Sequence, residues 1–87
     1  MELKNFTLKP CSNKTSFEFL PKNKTTLDLK KISKKLNNLE INSKILLILK
    51  KDDATISIFK TGKILVRGIK DESKAREIVL NLIKKIN

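Results

Sequence analysis

Lysine and arginine are the most abundant functional side chains of this chain. The chemistry to which they are best suited is the binding of phosphate groups. Twenty of the 87 residues are Lys or Arg and nine are Asp or Glu, which gives a net charge of +11. An excess of this size favours polyanions as partners, namely DNA, RNA or an anionic membrane surface. Lysine enrichment is also common in hyperthermophile proteins, so a solvated lysine surface is the alternative interpretation.

Residue types for catalysis and metal binding are scarce. The sequence has no His and one Cys, Cys11, so neither a Cys/His zinc site nor an intrachain disulfide is expected. Asp52 and Asp53 are adjacent, and turn carboxylates are a commoner interpretation of such a pair than a metal site. Because the usual nucleophile and acid–base sets are missing, we expect no enzymatic activity and no cofactor.

Length and hydropathy limit the class of protein. A chain of 87 residues, 39% of them apolar, is typical of one small domain, for which oligomerisation is an additional source of stability. No apolar run approaches the roughly 20 residues that span a bilayer, and the N-terminus lacks the apolar segment of a signal peptide. We expect a cytoplasmic protein that does not insert into membranes.

The N-terminal part predicts a strand over Ser16–Leu20, where two Phe residues alternate with other side chains. Pro21 ends this strand or places it at a sheet edge, since proline has no N–H for the ladder. Residues 1–15 form a separate N-terminal segment, in which the stretch at 3–8 is a candidate extra strand. The domain itself is expected over residues 16–87.

The middle of the chain predicts a helix and a strand. Three apolar residues at helical spacing predict a helix over about 27–37, with Thr26 as its N-cap. The following strand, Lys44–Lys50, is apolar on both faces. Leu46 and Ile48 lie on one face, whereas a strand of an ordinary two-layer domain turns polar residues to water.

The C-terminal part from residue 54 gives the clearest pattern. Ala54–Phe59 and Lys63–Gly68 predict two strands joined by a turn at Thr61–Gly62. Asp71 then caps a helix with a single apolar stripe. On the side of the strand pair away from Ile56 and Ile58, alternation places Thr55, Ser57, Phe59, Leu65 and Arg67.

These elements predict an α+β fold. Their order is strand, helix, three strands and helix, with a possible extra N-terminal strand. Strands joined by short turns form an antiparallel sheet, and two helices with one apolar stripe each pack on the same face of it. The other face of this curved sheet is left open.

Residues 16–87 resemble one repeat of the TATA-box-binding protein family, of archaeal type. From Asn42 onward the family pattern fits without gaps, and the link before it is a few residues shorter. Family proteins carry two repeats, whereas this chain has room for one. The shared residues are LDLKK at 27–31, ATISIF at 54–59, TGK at 61–63, Gly68 followed by Lys70, and the acidic start of the last helix.

The resemblance implies a function for the open face. Family members place this face on the DNA minor groove, where Phe side chains wedge between base steps; the family is itself a standard example of this mode. One of the two wedging positions corresponds to Phe59. A core position for Phe59 is the alternative, but Ile56 and Ile58 already occupy the helix side. The residues expected at DNA are Phe59, Leu65, Arg67, Ser57, Leu46 and Ile48 on the face, with Lys44, Lys60 and Lys63 at phosphates.

Several positions depart from the family pattern. Asn42 stands at the second wedging position, Ile48 replaces an Arg, and Arg67 replaces a small Thr. Ser16 and Glu18 replace an Asn and a Val, and a carboxylate facing DNA is unfavourable beside phosphates. We therefore do not expect specific recognition of the TATA sequence, although Arg67 is suited to a narrow minor groove.

A single repeat exposes a sheet edge and an apolar face, both of which favour association. We expect a homodimer that restores a continuous sheet by two-fold symmetry and binds duplex DNA with limited sequence specificity. The alternative is a protein-interaction module that binds a transcription factor or a nuclease subunit, which Glu18 and Asn42 favour.

Overall fold

A computed structural model of the chain describes residues 2–10, 15–37, 39–51 and 53–86. A short 3-10 helix at Leu3–Asn5 precedes the first strand. The strands are β1 Phe6–Pro10, β2 Ser16–Pro21, β3 Leu39–Asn42, β4 Leu46–Lys51, β5 Ala54–Phe59 and β6 Ile64–Arg67, and the helices are α1 Leu29–Ser33 and α2 Glu72–Ile86.

The strands form one six-stranded antiparallel sheet in the order β1-β2-β6-β5-β4-β3. The chain leaves the sheet after β2, forms α1, adds β3, β4 and β5 in succession, and returns with β6 to the inner edge of β2. A curved antiparallel sheet with two helices confirms the predicted α+β fold.

The core lies between the two helices and one face of the sheet. Two rows of opposing residues cross the four central strands on this face, and all of them are buried. Buried Leu, Ile and Phe side chains each contribute about 1.5–3 kcal/mol, so these rows fix the sheet register. The rows are Phe17–Val66–Ile56–Leu49 and Phe19–Ile64–Ile58–Leu47.

The C-terminal helix forms as the sequence predicts. The side chain of Asp71 accepts a hydrogen bond from the backbone N–H of Ser73 at 2.9 Å, which caps the helix start. Ala75 and Val79 of α2 are fully buried against the sheet, and Ile86 at its end is also in the core.

The first helix is shorter than predicted. It spans Leu29–Ser33 rather than 27–37, and its N-cap is Asp28 rather than Thr26, because the Asp28 carboxylate accepts the N–H of Lys31 at 3.2 Å. An earlier start is prevented by Leu27, whose N–H donates to the carbonyl of Lys60 beyond β5 at 2.8 Å. After Ser33 the chain continues in tighter turns that still bury Leu36.

The sequence interpretation missed β3. Leu39 and Ile41 alternate with polar residues over only four positions, and a bulge interrupts their pairing with β4. The next strand begins at Leu46 rather than Lys44, because the hydroxyl of Ser43 accepts the N–H groups of Ile45 and Leu46 and forms a turn there.

The N-terminal segment supplies an extra strand, displaced from the expected 3–8 to Phe6–Pro10. It pairs with β2 over five residue pairs, from Phe6 opposite Pro21 to Pro10 opposite Phe17. The outer edge of β2 is therefore covered, and β1 and β3 are the outermost strands formed by the described residues. Cys11 and Asp52 lie outside those residues.

None of the described helices combines the length and apolar character required to cross a membrane.

Gly68 ends β6 in a conformation that favours glycine. Its φ is +86°, and a Cβ at this position would lie 2.6 Å from the backbone oxygen of Asp53. The N–H groups of Gly68 and Ile69 both donate to the carbonyl of Thr15, at 2.8 and 3.2 Å. The chain segments at Thr15, Asp53 and Gly68 therefore approach one another closely, because residue 68 has no side chain.

We predict that Gly68→Ala lowers the free energy of unfolding by about 1–3 kcal/mol, because the left-handed conformation and the clash with backbone are both costly. Urea denaturation measures this as a lower midpoint at an unchanged slope. Lys70→Ala, at an exposed position, is the control and should change the midpoint little. An unchanged midpoint for Gly68→Ala contradicts the backbone geometry.

Candidate nucleic-acid interface

The face of the sheet away from the helices carries a continuous row of opposing residues. Residues directly opposite in an antiparallel pair share a face, so the strand register assigns the members of this row. The row crosses all six strands as Lys9–Glu18–Leu65–Ser57–Ile48–Ile41. We call this surface, which also includes Leu46, Thr55, Phe59 and Arg67, the open face.

Apolar side chains form the centre of the open face. Leu46 and Ile48 are half-buried, and Leu65 is 8% exposed although it is not part of the helix-side core. Ser57, between Ile48 and Leu65, is 7% exposed. A small residue flanked by apolar ones makes a shallow floor, which an approaching flat surface can contact without desolvating charges.

Phe59 lies at the end of β5, opposite Leu46. It is half-buried and does not belong to the core that the described residues form on the helix side. The turn after it is closed by the N–H of Gly62, which donates to the carbonyl of Phe59 at 2.9 Å. Gly62 has a φ of +93°, so a tight turn fixes the position of the ring at the edge of the open face.

Lys63 connects Phe59 with Glu18. Its ammonium group lies 5.1 Å from the centroid of the Phe59 ring and 3.1 Å from a carboxylate oxygen of Glu18. The pair is about 30% exposed on both sides, at 32% and 29%, so its net contribution to stability is small, about 0–1 kcal/mol. Its electrostatic effect matters more, because Lys63 compensates the carboxylate that the sequence places on the open face.

Arg67 is an exposed cation of the open face. It lies between Ser16 and Thr55 in a second cross-strand row that ends at Lys50. Ser16 is buried, whereas Arg67 is exposed. Arg67 has no ion-pair or hydrogen-bond partner within the described ranges, while Lys50 is 3.5 Å from the carboxylate of Glu40.

The structure separates two of the expected phosphate contacts from the others. Lys44 and Lys60 lie outside the strands, at the end of the sheet, where they line a groove together with Asp28 and Lys30 of the α1 region. Lys63 is at the open face, with Phe59. The expected set therefore divides into seven residues on or beside the open face and two on the rim toward α1.

Two exposed apolar residues were absent from the expected set. Ile41, on β3, is 45% exposed and extends the open-face row beyond Ile48, and Ile45 is 69% exposed. Ile45 lies beside Phe59, since its carbonyl accepts the N–H of Lys60 at 3.0 Å. Alternation over residues 39–42 was the available signal for Ile41, and Ile45 precedes the strand because that strand begins at Leu46 rather than at the expected Lys44.

No group of three or more Cys, His, Asp or Glu side chains that could hold a metal ion occurs in the part of the chain that the structure describes.

One comparison with known proteins gives a match. The family model described as transcription factor TFIID (or TATA-binding protein, TBP) matches residues 20–87, which include β3 to β6 and both helices. The match covers most of the chain but excludes β1 and most of β2. No curated protein and no solved structure matches the chain.

We predict that two Phe→Ala substitutions differ strongly in their effect on stability. Phe19 is 1% exposed in the core, so Phe19→Ala should cost about 3–5 kcal/mol. Phe59→Ala, on the open face, should cost less than about 1.5 kcal/mol. Urea denaturation of both variants measures the difference, and equal losses would contradict the position of Phe59 outside the core.

Proposed function

Because this chain belongs to the TATA-binding protein family, we propose that it binds duplex DNA through the open face of its sheet. The observation that carries the proposal is the apolar row of Leu65, Ile48 and Ile41 beside an unpaired Arg67. Apolar surface of this kind complements the floor of a widened minor groove. Binding, rather than catalysis, is the role that the family match supports.

Phe59 supplies a wedge at the end of this face. A half-exposed ring fixed by a tight turn can enter a base step without losing helix-side packing. Lys63, 5.1 Å from the ring centroid, is paired with Glu18 and neutralises the carboxylate near the ring. Ile45 supplies a second apolar wedge, since Ile is among the residues that proteins insert between base steps. Ile45 would thus take the place of the second wedging residue, since Asn42 at that position of the family pattern has a polar side chain.

Sequence recognition through this face is limited. Leu, Ile and Ser side chains offer few hydrogen bonds to base edges, and the minor groove that Arg67 would enter distinguishes A·T from G·C pairs but little else. In this proposal Lys44 and Lys60, which line a groove on the rim, contact the phosphates that flank the minor groove. Phosphate contacts add affinity without specificity.

A homodimer completes the binding surface in this proposal. β3 is four residues long and bulged, and both features make an edge strand a poor pairing partner. β1 keeps an unbroken register with β2 over its five residues, so its outer edge is the regular one. Two copies that pair through β1 form a continuous sheet with two-fold symmetry and two copies of Phe59.

The alternative function, a protein-interaction module, loses part of its support. It drew on Glu18 as a carboxylate facing the ligand, but Glu18 is paired with Lys63 at 3.1 Å. The open face therefore presents a compensated carboxylate, which does not repel phosphates as a free one does.

We predict that the protein retards short duplex DNA in a mobility-shift assay at low salt, and that Phe59→Ala weakens binding roughly tenfold, about 1.4 kcal/mol. Arg67→Ala should reduce the slope of log K against log salt by about 1. Leu80→Ala and Arg76→Ala are matched controls on α2, where Leu80 is exposed and Arg76 is paired with Glu72.

Two results would count against DNA binding by the open face. One is that no duplex is retarded at low ionic strength. The other is that the α2 controls weaken binding as much as Phe59→Ala and Arg67→Ala do.

We predict that charge at Thr7 controls dimer formation. If two β1 strands pair antiparallel about Leu8, Thr7 of one copy lies opposite Lys9 of the other. Thr7→Glu should then strengthen the dimer and Thr7→Lys should weaken it, each by roughly threefold to thirtyfold, because two symmetric cross-strand pairs change by up to about 1 kcal/mol each. Light scattering over a concentration series measures the effect, and a monomer at all concentrations, or equal effects of both substitutions, refutes β1 pairing.

A further inference from the structure

The positive charge of the protein is not concentrated on the open face. Two of the cations there are compensated, since Lys63 pairs with Glu18 and Lys50 with Glu40. Arg67 and Lys9 are the uncompensated ones among the described residues of this face. Most of the net charge of +11 must therefore lie elsewhere.

Lysines converge where the two helices end. The ammonium group of Lys35, just after α1, donates to the carbonyl of Ile86 at the end of α2 at 2.8 Å. This contact brings the C-terminal ends of both helices together. Lys34 and Lys35 follow α1, Lys84 and Lys85 lie in the last turn of α2, and we call these four residues the helix-end cluster.

A groove of about 300 Å³ extends the positive surface beside the cluster. Its polar lining consists of Lys51, Lys85, Asn37 and Asn81 together with Lys50, whose ammonium group is 3.5 Å from the carboxylate of Glu40. None of the described carboxylates is itself part of the lining. The rest of the lining is apolar and belongs largely to the buried core.

The negative C-terminal ends of the two helices neutralise only part of the positive charge of these lysines. The C-terminus of a helix carries roughly −0.5 charge, and two such ends compensate about one of the four lysines in the cluster. An excess of like charge in one region opposes the compact state, and a ligand that neutralises the charge relieves this repulsion. Among the described carboxylates of the helix regions, Asp28 and Asp71 are helix caps and Glu72 is paired with Arg76, which leaves Glu77 of α2 to offset part of the charge.

We propose that the helix-end cluster binds the phosphate backbone of a second segment of duplex DNA, so that one protein bridges two duplexes. The proposal rests on the open face holding the first duplex. The cluster lies on the helix layer, on the opposite side of the sheet from Phe59, so that both surfaces are accessible at the same time.

The chemistry of the surface favours nucleic acid over a membrane or an acidic peptide. Membrane-surface helices insert apolar side chains, but Leu36, Leu82, Ile83 and Ile86 near the cluster are all buried at 8% exposure or less. Leu80, one turn before Lys84, is 38% exposed, and this single side chain offers little apolar surface for a peptide anchor. What remains is ammonium groups and amides, which suit phosphodiesters.

Duplex capture tests the proposal. One duplex is immobilised on beads, the protein is bound at low ionic strength, and capture of a second, fluorescent duplex is measured. The test variant is Lys34→Gln/Lys84→Gln/Lys85→Gln, which changes three exposed lysines and keeps Lys35 in its structural contact. The matched control, Lys22→Gln/Lys70→Gln/Lys74→Gln, removes the same charge from exposed lysines elsewhere.

The expected result is that the test variant still binds the first duplex but captures at least roughly fivefold less of the second, with a salt slope for capture lower by about 3. The control should capture as the unmodified protein does. Undiminished capture by the test variant overturns the proposal and assigns bridging to other surfaces, such as two open faces of a dimer.

Three further outcomes also overturn it. They are no capture by the unmodified protein, loss of first-duplex binding in the test variant, and cluster-dependent binding to phosphatidylserine vesicles without capture. A failure of the proposed open-face site is distinguishable from these outcomes. In that case Phe59→Ala and Arg67→Ala would leave binding of the first duplex unchanged.

Discussion

Burial of one face of the sheet is the constraint on which the rest of the structure depends. Side chains alternate between faces along a strand, so the buried rows that contain Phe19, Ile58 and Leu47 also decide what faces the other way. A slip of one residue would expose the core and bury Arg67 and Glu18, at a cost no other contact offsets. The position of Phe59 on the open face is therefore enforced by the core rather than by contacts of its own.

The same constraint explains where charge and apolar surface lie. The helices occupy one face and leave their lysines on its outer side, while the open face keeps half-buried Leu46 and Ile48 with few free cations. A protein with this division can contact a duplex closely on one side and hold phosphates on the other. β1 adds a further consequence, because it covers the edge of β2 and moves the free edge of the sheet outward.

The fold was predictable from the sequence where the periodicity is long. The apolar stripe of α2 and the alternation of β5 gave the right element and the right faces, and the family match extends over both. Shorter elements were harder to predict from the sequence. β3 offers only four residues with a bulge, and the start of α1 is decided by a long-range hydrogen bond from Leu27 to Lys60 that no local pattern contains.

The candidate site was predictable to a similar degree. Alternation grouped Ser57, Phe59, Leu65 and Arg67, and the register places them on one face. It did not reveal that Lys63 pairs with Glu18, because that contact depends on which strands are neighbours. The exposure of Ile45 was not predicted, because the strand was expected to begin at Lys44, whereas a turn formed by the hydroxyl of Ser43 moves its start to Leu46.

Methyl-detected NMR during a titration with short duplex DNA tests the central claim most directly, because methyl groups report from both faces of the sheet. Binding by the open face predicts that the methyl signals of Leu46, Ile48 and Leu65 shift first and most, while those of Ile56, Ile58 and Val66 on the buried face change little. Large shifts confined to methyl groups of α1 and α2, with the open-face signals unchanged, would contradict it.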